Sequence, residues 1–299
     1  MTKLDKAMGT TRKLIDLPFN KFNLDNYEKI LTKEYGYLDF IVHPNTPTQL
    51  MSGGHHNAGI INLSHKNYSK YSRKIYVIGK GILFDSGGLD LKRGMADMAG
   101  DKAGMIIALS VSHYLKGNVI AFCPVTTNLI QNSQITPGDE LKIGKKIVKV
   151  TNTDAEGRLI LAEAISTLNA SKNDIIITIA TLTGAVEYAI GQEATGVFGL
   201  NHDLLTKYSE ASFDAKEMAW ALPLWEYYQK KYYSKKLIEN SIKDIKAGAT
   251  EAAMFIKQFL PNPNNWLHLD IAGSAFNEEG KANGVPLKSL INFIRRLNV

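Results

Sequence analysis

The chain has 299 residues, of which 44% are hydrophobic and 21% charged, and its formal net charge is +6. This length and apolar content suit one large or two ordinary globular domains and exclude a disordered or fibrous protein. The single cysteine, Cys123, lies in an apolar run, which excludes an internal disulfide framework and a thiolate metal cluster and indicates a reducing setting. Because the sequence shows neither a signal peptide nor a membrane-spanning apolar run, we predict a cytoplasmic protein.

Strands and helices are predicted to alternate along the chain, without repeats or low-complexity linkers. In chain order they are a helix near 24–35, strands 38–42, 60–63 and 75–78, a helix 101–115, a strand 118–123, a polar loop 126–138, a hairpin around 143–145, a helix 156–168, a strand 174–180, a helix near 251–259, a strand 267–271 and a helix 287–297. The run Ile175 to Ala180 lacks polar alternation, which is typical of a parallel strand covered on both faces.

These elements predict an α/β fold with a mixed, mostly parallel central sheet and helices on both faces. We expect a single domain, in which residues 1–70 lead into a core formed by residues 71–299. Open α/β sheets bind their ligands at the carboxyl ends of the strands, so the residues that follow the strands are the first candidates for a site.

A set of charged residues lies at the ends of these predicted elements, in segments that otherwise have the composition of buried core. The set is Lys80, Asp85, Lys92, Asp101, Asp154, Glu156 and Arg158. Lys80 follows the strand 75–78, Asp101 opens an apolar helix, and Glu156 lies at a strand-to-helix junction. An unpaired charge inside a protein is unfavourable, so convergence of the set at one sheet edge requires a functional reason.

The residue types indicate a metal site. Four carboxylates without cysteine or histidine favour divalent ions, and a bridging carboxylate permits a pair of ions about 3.5–4 Å apart. Lys80 is suited to ligation only as a neutral amine, a state that metal coordination favours. Lys92 can stay charged and stabilise the oxyanion of a tetrahedral intermediate. Arg158 carries a permanent planar charge suited to a carboxylate-like or carbonate-like anion.

Each residue alone also has a structural interpretation. Asp154 is suited to cap the following helix, Glu156 to interact with its dipole, and Arg158 to form a surface ion pair. A nucleotide site is not supported, because the glycines at 79–81 and 87–88 satisfy neither G-x-G-x-x-G nor G-x-x-x-x-G-K-[ST]. His268 is expected in the core. Capping explains the residues one by one but not their joint occurrence.

The positive net charge also raises the question of nucleic-acid binding. Lysines and tyrosines are interleaved over residues 227–236, a pattern that can follow a phosphate backbone. A solvated basic surface explains the same pattern, and no recognised nucleic-acid motif accompanies it. We therefore do not predict a nucleic-acid partner.

The most specific motifs of the chain are NTDAEGRL at 152–159 and, upstream, GKG at 79–81 with FDSGG at 84–88 and Lys92. They resemble the two signatures of the leucyl aminopeptidase (cytosol aminopeptidase) family, the first of them without a change. Further similar stretches are 136–139, 181–185, 223–226, 247–253 and 268–273, so that the resemblance runs from about Thr11 to the C-terminus. Members usually carry an additional N-terminal domain, so the chain is expected to be the catalytic domain alone.

The resemblance implies two divalent metal ions, zinc or manganese, with cobalt and magnesium as alternatives. One ion would be held by Asp85, Asp154 and Glu156, and the other by Lys80, Asp85, Asp101 and Glu156. Lys92 would polarise the scissile carbonyl, and Arg158 would hold a bicarbonate ion that acts as general base. The pocket for the substrate's first side chain would consist of Met98, Thr181, Leu182, Gly184, Ala272 and Ala275.

By the same resemblance the chain is an aminopeptidase that removes leucine-like N-terminal residues from peptides, and it assembles as a homo-oligomer, a hexamer or a trimer. Two departures from the family pattern, Arg93 and Lys102, would each add a positive charge beside the metals. The alternative is a non-catalytic assembly or DNA-binding protein that keeps the fold. We favour the enzyme, because a scaffold has no need for several buried, converging charges.

Overall fold

The computed structural model describes residues 1–131, 134–233 and 237–297. The helices are α1 Lys3–Ile15, α2 Tyr27–Tyr35, α3 Pro47–Met51, α4 Ala103–Leu115, α5 Glu156–Thr167, α6 Gly184–Ile190, α7 His202–Ala215, α8 Glu226–Tyr233, α9 Gly248–Lys257 and α10 Leu287–Arg296. The strands are β1 Asp39–Ile41, β2 Gly59–Leu63, β3 Ile75–Gly79, β4 Gly81–Asp85, β5 Val119–Asn128, β6 Glu140–Ile143, β7 Lys146–Lys149, β8 Ile175–Ala180, β9 Thr195–Gly199, β10 Ala219–Ala221, β11 Ile238–Glu239 and β12 Trp266–Asp270. Lys235 and Lys236, which belong to the interleaved lysines and tyrosines of residues 227–236, lie outside the described residues.

Nine of these strands form a central sheet with the order β1-β2-β5-β3-β8-β12-β9-β10, in which β4 also pairs with β5. The pairs β3–β5, β4–β5, β3–β8, β8–β12 and β9–β10 are parallel. The pairs β1–β2, β2–β5 and β9–β12 are antiparallel. The prediction of a mixed, mostly parallel sheet is confirmed. A second, three-stranded sheet has the order β11-β7-β6.

Alternate residues of the central strands enter two different hydrophobic cores. In β8, Ile175, Ile177 and Ile179 pack with α1, α2, α4, α7 and α10. Ile176 and Ala180 face the opposite side, where they pack with residues of α3, α5 and α9. Full burial of each isoleucine contributes about 1.5–3 kcal/mol. The one polar residue of the strand, Thr178, is buried but paired, since its hydroxyl accepts a hydrogen bond from Trp266 Nε1 at 3.0 Å. Helices therefore cover both faces, as predicted.

Two glycines bring the start of α4 against the ends of β3 and β8. A Cβ atom at Gly79 would lie 2.1 Å from the Gly104 carbonyl oxygen, and a Cβ atom at Gly104 would lie 2.3 Å from the Ile179 carbonyl oxygen. Backbone atoms fill this space instead, and the Met105 amide donates to the Lys80 carbonyl at 2.9 Å. This close packing places the turn before α4 beside the residue that follows β3.

The structure contains elements that were not predicted, among them α1, α3, β4 and β11, and it differs most from the prediction in two segments. Strand β5 continues through Asn128, where a polar loop was predicted from residue 126. Its polar side chains are buried but paired, since Thr126 Oγ1 donates to the Thr48 carbonyl at 2.7 Å and Asn128 Nδ2 donates to Asp85 Oδ1 at 2.8 Å. Residues 184–233, for which no element was predicted, contain α6, β9, α7, β10 and α8.

Lys102 does not place its charge in the predicted site. Its Nζ donates to the carbonyl oxygens of Ile15 and Leu17, each at 2.9 Å, and also to that of Ala99. Burial lowers the pKa of Lys102 to about 8. The prediction that Lys102 adds a charge beside the metals is therefore wrong, because this ammonium binds the C-terminal end of α1 instead.

His268 of β12 makes the stability of the fold depend on pH. Its ring stacks with those of Phe198 and Trp266, at centroid distances of 5.8 and 6.2 Å, and burial lowers its pKa to about 3. An unfolded histidine binds a proton below about pH 6.5, whereas the folded one stays neutral, so stability decreases as the pH falls. As the pH falls from 6 to 4, we expect protonation of this residue in the unfolded chain to lower the free energy of unfolding by about 1.4 kcal/mol per pH unit. Denaturant titrations across this range, with His268→Leu as the control, should show a shallower pH dependence in the variant; equal slopes would contradict the assignment.

No helix among the described residues is both long and apolar enough to cross a membrane.

Candidate metal centre

The predicted carboxylates meet at one end of the central sheet. Asp85 is the last residue of β4, and Asp101 lies in the turn just before α4. Asp154 lies on the loop between β7 and α5, and Glu156 is the first residue of α5, so both follow a strand of the small sheet. Oxygen atoms of Asp85, Asp101 and Glu156 lie within 4.8 Å of one another, and all three residues are buried. Neither Asp101 nor Asp154 caps the helix that follows it.

Lys80 lies between two of these carboxylates. Its Nζ is 2.8 Å from Asp101 Oδ2 and 2.8 Å from Glu156 Oε1, and it donates to the Thr181 carbonyl at 3.1 Å. Burial opposes its charge, but the two carboxylates outweigh this effect and hold the pKa of Lys80 above its usual range. In the absence of metal, the ammonium of Lys80 therefore neutralises part of the cluster.

Lys92 approaches the cluster from the side that is open to solvent. Its Nζ is 3.0 Å from Asp85 Oδ2 and also pairs with Asp154 Oδ1. Burial opposes its charge, yet the neighbouring carboxylates raise the pKa of Lys92, so it stays protonated at neutral pH. The other oxygen of Asp85 accepts hydrogen bonds from Asn128 Nδ2 and the Gly87 amide, at 2.8 and 2.9 Å.

The cluster fits divalent cations. Glu156 Oε2 is buried and has no hydrogen-bond partner within the described residues. Unless a further group satisfies this oxygen, its desolvation lowers the free energy of unfolding by about 1–3 kcal/mol. Burial and the charge of Asp85 raise the pKa of Glu156 to about 8, and burial raises that of Asp101 to about 6. These carboxyl groups are too crowded to ionise together without a cation, and their oxygens are the ligands that hard divalent ions prefer.

A cavity of about 500 Å³ opens onto the cluster. Five residues of the predicted side-chain pocket line this cavity: Met98, Thr181, Leu182, Gly184 and Ala272. Ala275 is buried, 1% exposed, and lies outside this lining. Nine further lining residues were not identified from the sequence: Asp97, Thr183, Glu187, Gln192, Gly273, Phe276, Asn277, Glu278 and Gly280. They lie on helices and loops that carry no metal-binding pattern.

Asp270, which the sequence analysis also missed, joins the two loops that form the wall of the cavity. It ends β12 and accepts hydrogen bonds from the Leu182 amide at 3.1 Å, from Thr183 Oγ1 at 2.7 Å and from the Ala272 amide at 3.2 Å. Burial raises the pKa of Asp270 to about 6. Its place at the carboxyl end of a strand was the signal by which it could have been found.

Arg158 is buried in the first turn of α5 and does not belong to the described lining of the cavity. Its Nη1 donates to the Asn240 carbonyl at 2.8 Å and pairs with Glu251 Oε2. Burial opposes its charge, but Glu251 outweighs this effect and raises the pKa of Arg158. Because a protein carboxylate already neutralises this guanidinium, the residues around Arg158 do not fit an additional anion such as bicarbonate.

Gly157 leaves the space that Lys80 occupies. A Cβ atom at this position would lie 2.8 Å from both Cδ and Cε of Lys80 and 2.9 Å from its Nζ. We expect Gly157→Ala to fold, since a flexible side chain can yield, but to displace the amine and to lower by about 100-fold the activity that the sequence resemblance implies. Gly9→Ala is the matched control, because no atom lies within 4 Å of its added Cβ. Equal activity of the two variants would contradict the packing argument.

Residues 45–291 match the sequence profile of the cytosol aminopeptidase family, catalytic domain. A probable cytosol aminopeptidase of Chloroherpeton thalassium is 40% identical over 71% of this chain and 43% of its own length. One from Chlamydia felis is 40% identical over 78% of this chain and 50% of its own length. One from Chlorobium luteolum is 32% identical over 98% of this chain and 63% of its own length. The chain spans about half the length of the curated relatives it matches. It belongs to the cytosol aminopeptidase family, whose catalytic domain accounts for most of its residues.

Proposed function

We propose that this chain is a metal-dependent aminopeptidase that removes leucine-like N-terminal residues from peptides by means of two divalent ions. The observation that carries the proposal is the buried cluster of Asp85, Asp101 and Glu156, with one unpaired carboxylate oxygen, at the floor of a peptide-sized cavity. The name probable cytosol aminopeptidase, shared by the relatives, supports the reaction class and a cytoplasmic location.

In this proposal Asp85, Asp154 and Glu156 hold one ion, and Lys80, Asp85, Asp101 and Glu156 hold the other. When bound, the ions, zinc or manganese with cobalt and magnesium as alternatives, would supply Lewis acidity for the carbonyl and a nucleophile from water at neutral pH. Lys80 has to lose a proton before it can act as a ligand. Its contacts with Asp101 and Glu156 already hold the amine beside the carboxylates that would share the ion.

Lys92 stabilises the negative charge that develops on the carbonyl oxygen. The raised pKa of Lys92 keeps it charged, and its partly exposed side chain lines the cavity. A fixed cation at this position acts most strongly on the transition state, when the carbonyl oxygen carries the most charge.

The preference for a leucine-like side chain is supported by the apolar part of the cavity. Met98, Leu182, Ala272 and Phe276 contribute to its wall. An open space adjoins Gly184, because no atom lies within 4 Å of a Cβ built there. Full burial of a leucine side chain in such a pocket contributes about 1.5–3 kcal/mol to binding.

The test is release of leucine from a leucyl dipeptide by the purified chain, after chelation and again after addition of manganese or zinc. We expect no release after chelation and restored release with metal. The N-acetylated dipeptide is the matched substrate control and should not be cleaved. Absence of leucine release despite bound metal and an intact fold would contradict the proposal.

We also propose that the chain acts as one catalytic domain, with residues 1–70 as a lead-in, and forms a trimer or hexamer. Phe213, Met218 and Trp220, which are 79%, 62% and 67% exposed, meet beside the edge strand β10 and form an apolar surface that a second subunit would cover. Light scattering at micromolar concentration should show an oligomer that Trp220→Glu weakens. A monomeric wild type would contradict the assembly. No observation on the described residues favours the alternative, a non-catalytic or DNA-binding protein.

A further inference from the structure

A buried network connects Arg158 with the loop that carries Asp154. The guanidinium of Arg158 pairs with Glu251 Oε2 of α9, and these residues are 7% and 1% exposed. Glu251 Oε1 accepts a hydrogen bond from the Tyr233 hydroxyl at 2.7 Å. Both carboxylate oxygens of Glu251 are thus engaged by donors of this chain.

The network continues from Arg158 through Asn240 to the loop before α5. Arg158 Nη1 donates to the Asn240 carbonyl at 2.8 Å. Asn240 Oδ1 accepts from the Thr151 amide at 2.7 Å, and its Nδ2 donates to the Asn152 carbonyl at 2.7 Å and to the Ala155 carbonyl at 3.2 Å. Asp154 lies within the segment that these bonds fasten.

The charges of the network are balanced within the chain. A buried guanidinium needs an anionic partner, and loss of that partner leaves an uncompensated charge that is strongly destabilising. Glu251 provides the partner, while its negative charge, removed from solvent, repels any second anion at the same place.

We propose that Glu251 is the resident counter-anion of Arg158, in place of the bicarbonate ion predicted from the sequence, and that it positions the metal-binding loop through Arg158 and Asn240. Glu251 is a positioning residue in this account and takes no proton from the substrate. The proposal rests on the proposed function only for its kinetic test.

The principal test measures the unfolding temperature of the purified chain in carbon dioxide-depleted buffer. The temperature with added sodium bicarbonate is compared with the temperature with added sodium chloride at equal ionic strength. We expect a difference below about 1 °C for the wild type, because no anion site is open. Glu251→Ala opens the site and exposes the charge of Arg158, and should unfold about 5–10 °C lower. Bicarbonate, formate or acetate should restore about half of that loss.

Glu251→Gln is the matched control, because it fills the same space without the charge and should be destabilised but not rescued. Folding of Glu251→Ala only in the presence of an added anion would also support the proposal. A wild type that bicarbonate stabilises would overturn it, and so would a Glu251→Ala variant with no response to any anion. The wild-type measurement decides the question even if both variants fail to fold.

The kinetic test asks whether leucine release depends on bicarbonate. We expect independence in the wild type and at least about tenfold lower kcat/KM in Glu251→Ala, partly restored by bicarbonate. A wild type whose kcat/KM rises with bicarbonate would overturn the proposal. Since the thermal tests require no turnover, a wild type that passes them but releases no leucine would contradict the proposed function alone.

Discussion

Replacement of Glu156 by glutamine is expected to reduce leucine release by at least about 1,000-fold while the protein still folds. The glutamine side chain keeps the size of Glu156 but removes the carboxylate that would help to hold both ions. In the metal-free chain burial raises the pKa of Glu156 to about 8, so this side chain is already largely neutral at neutral pH and the unfolding temperature should not fall. Steady-state kinetics and thermal unfolding, each with and without metal, check both expectations.

Glu163→Gln is the matched control for this experiment. Glu163 is another buried glutamate of α5, but its Oε2 accepts hydrogen bonds from the Thr48 amide and hydroxyl, at 2.8 and 2.6 Å. We expect this variant to lose about 1–3 kcal/mol of stability and to keep its metal response and activity. Full activity of Glu156→Gln, or equal loss of activity in both variants, would contradict the site assignment.

Lys92→Ala is expected to lower kcat by about 100- to 1,000-fold with little change in KM. The proposed contact of Lys92 with the carbonyl oxygen strengthens only as negative charge develops there, so the loss falls on the transition state. Initial rates on a leucyl dipeptide at saturating metal separate kcat from KM.

The control for Lys92→Ala is Arg93→Ala, which removes the adjacent positive charge. Arg93 is exposed and lies outside the lining of the cavity that the structure describes. We expect its kcat to stay within about twofold of the wild type. An unchanged kcat in Lys92→Ala would exclude the proposed stabilisation of the carbonyl oxygen, and an equal loss in both variants would indicate a general effect of charge.

The convergence of the carboxylates could be predicted from the sequence because most of them lie at or near the ends of predicted elements. Lys80 follows β3 directly, and Asp101 precedes the apolar α4 by two residues. Parallel strands end at a common edge, so a local pattern is sufficient to bring such residues together. The isoleucine run of β8 likewise predicts a strand with helices on both faces.

The partners of buried charges could not be predicted in this way, because they depend on packing between distant segments. Glu251 is 93 residues from Arg158, and the Ile15 carbonyl is 87 residues from Lys102. No local pattern links such positions, so Arg158 was assigned an external anion and Lys102 a place in the site. The end of β5 was missed for a related reason, since Thr126 and Asn128 are polar but satisfied by partners elsewhere in the chain.

The most direct test of the account is a calorimetric titration of the metal-free chain with manganese or zinc, with leucine release measured at each addition. We predict two bound ions per chain, activity that rises to its plateau with the second ion, and loss of both effects in Glu156→Gln. Leucine release at full rate by a chain that binds no metal, or two ions bound equally well by Glu156→Gln, would contradict the claim that Asp85, Asp101 and Glu156 form a catalytic two-metal centre.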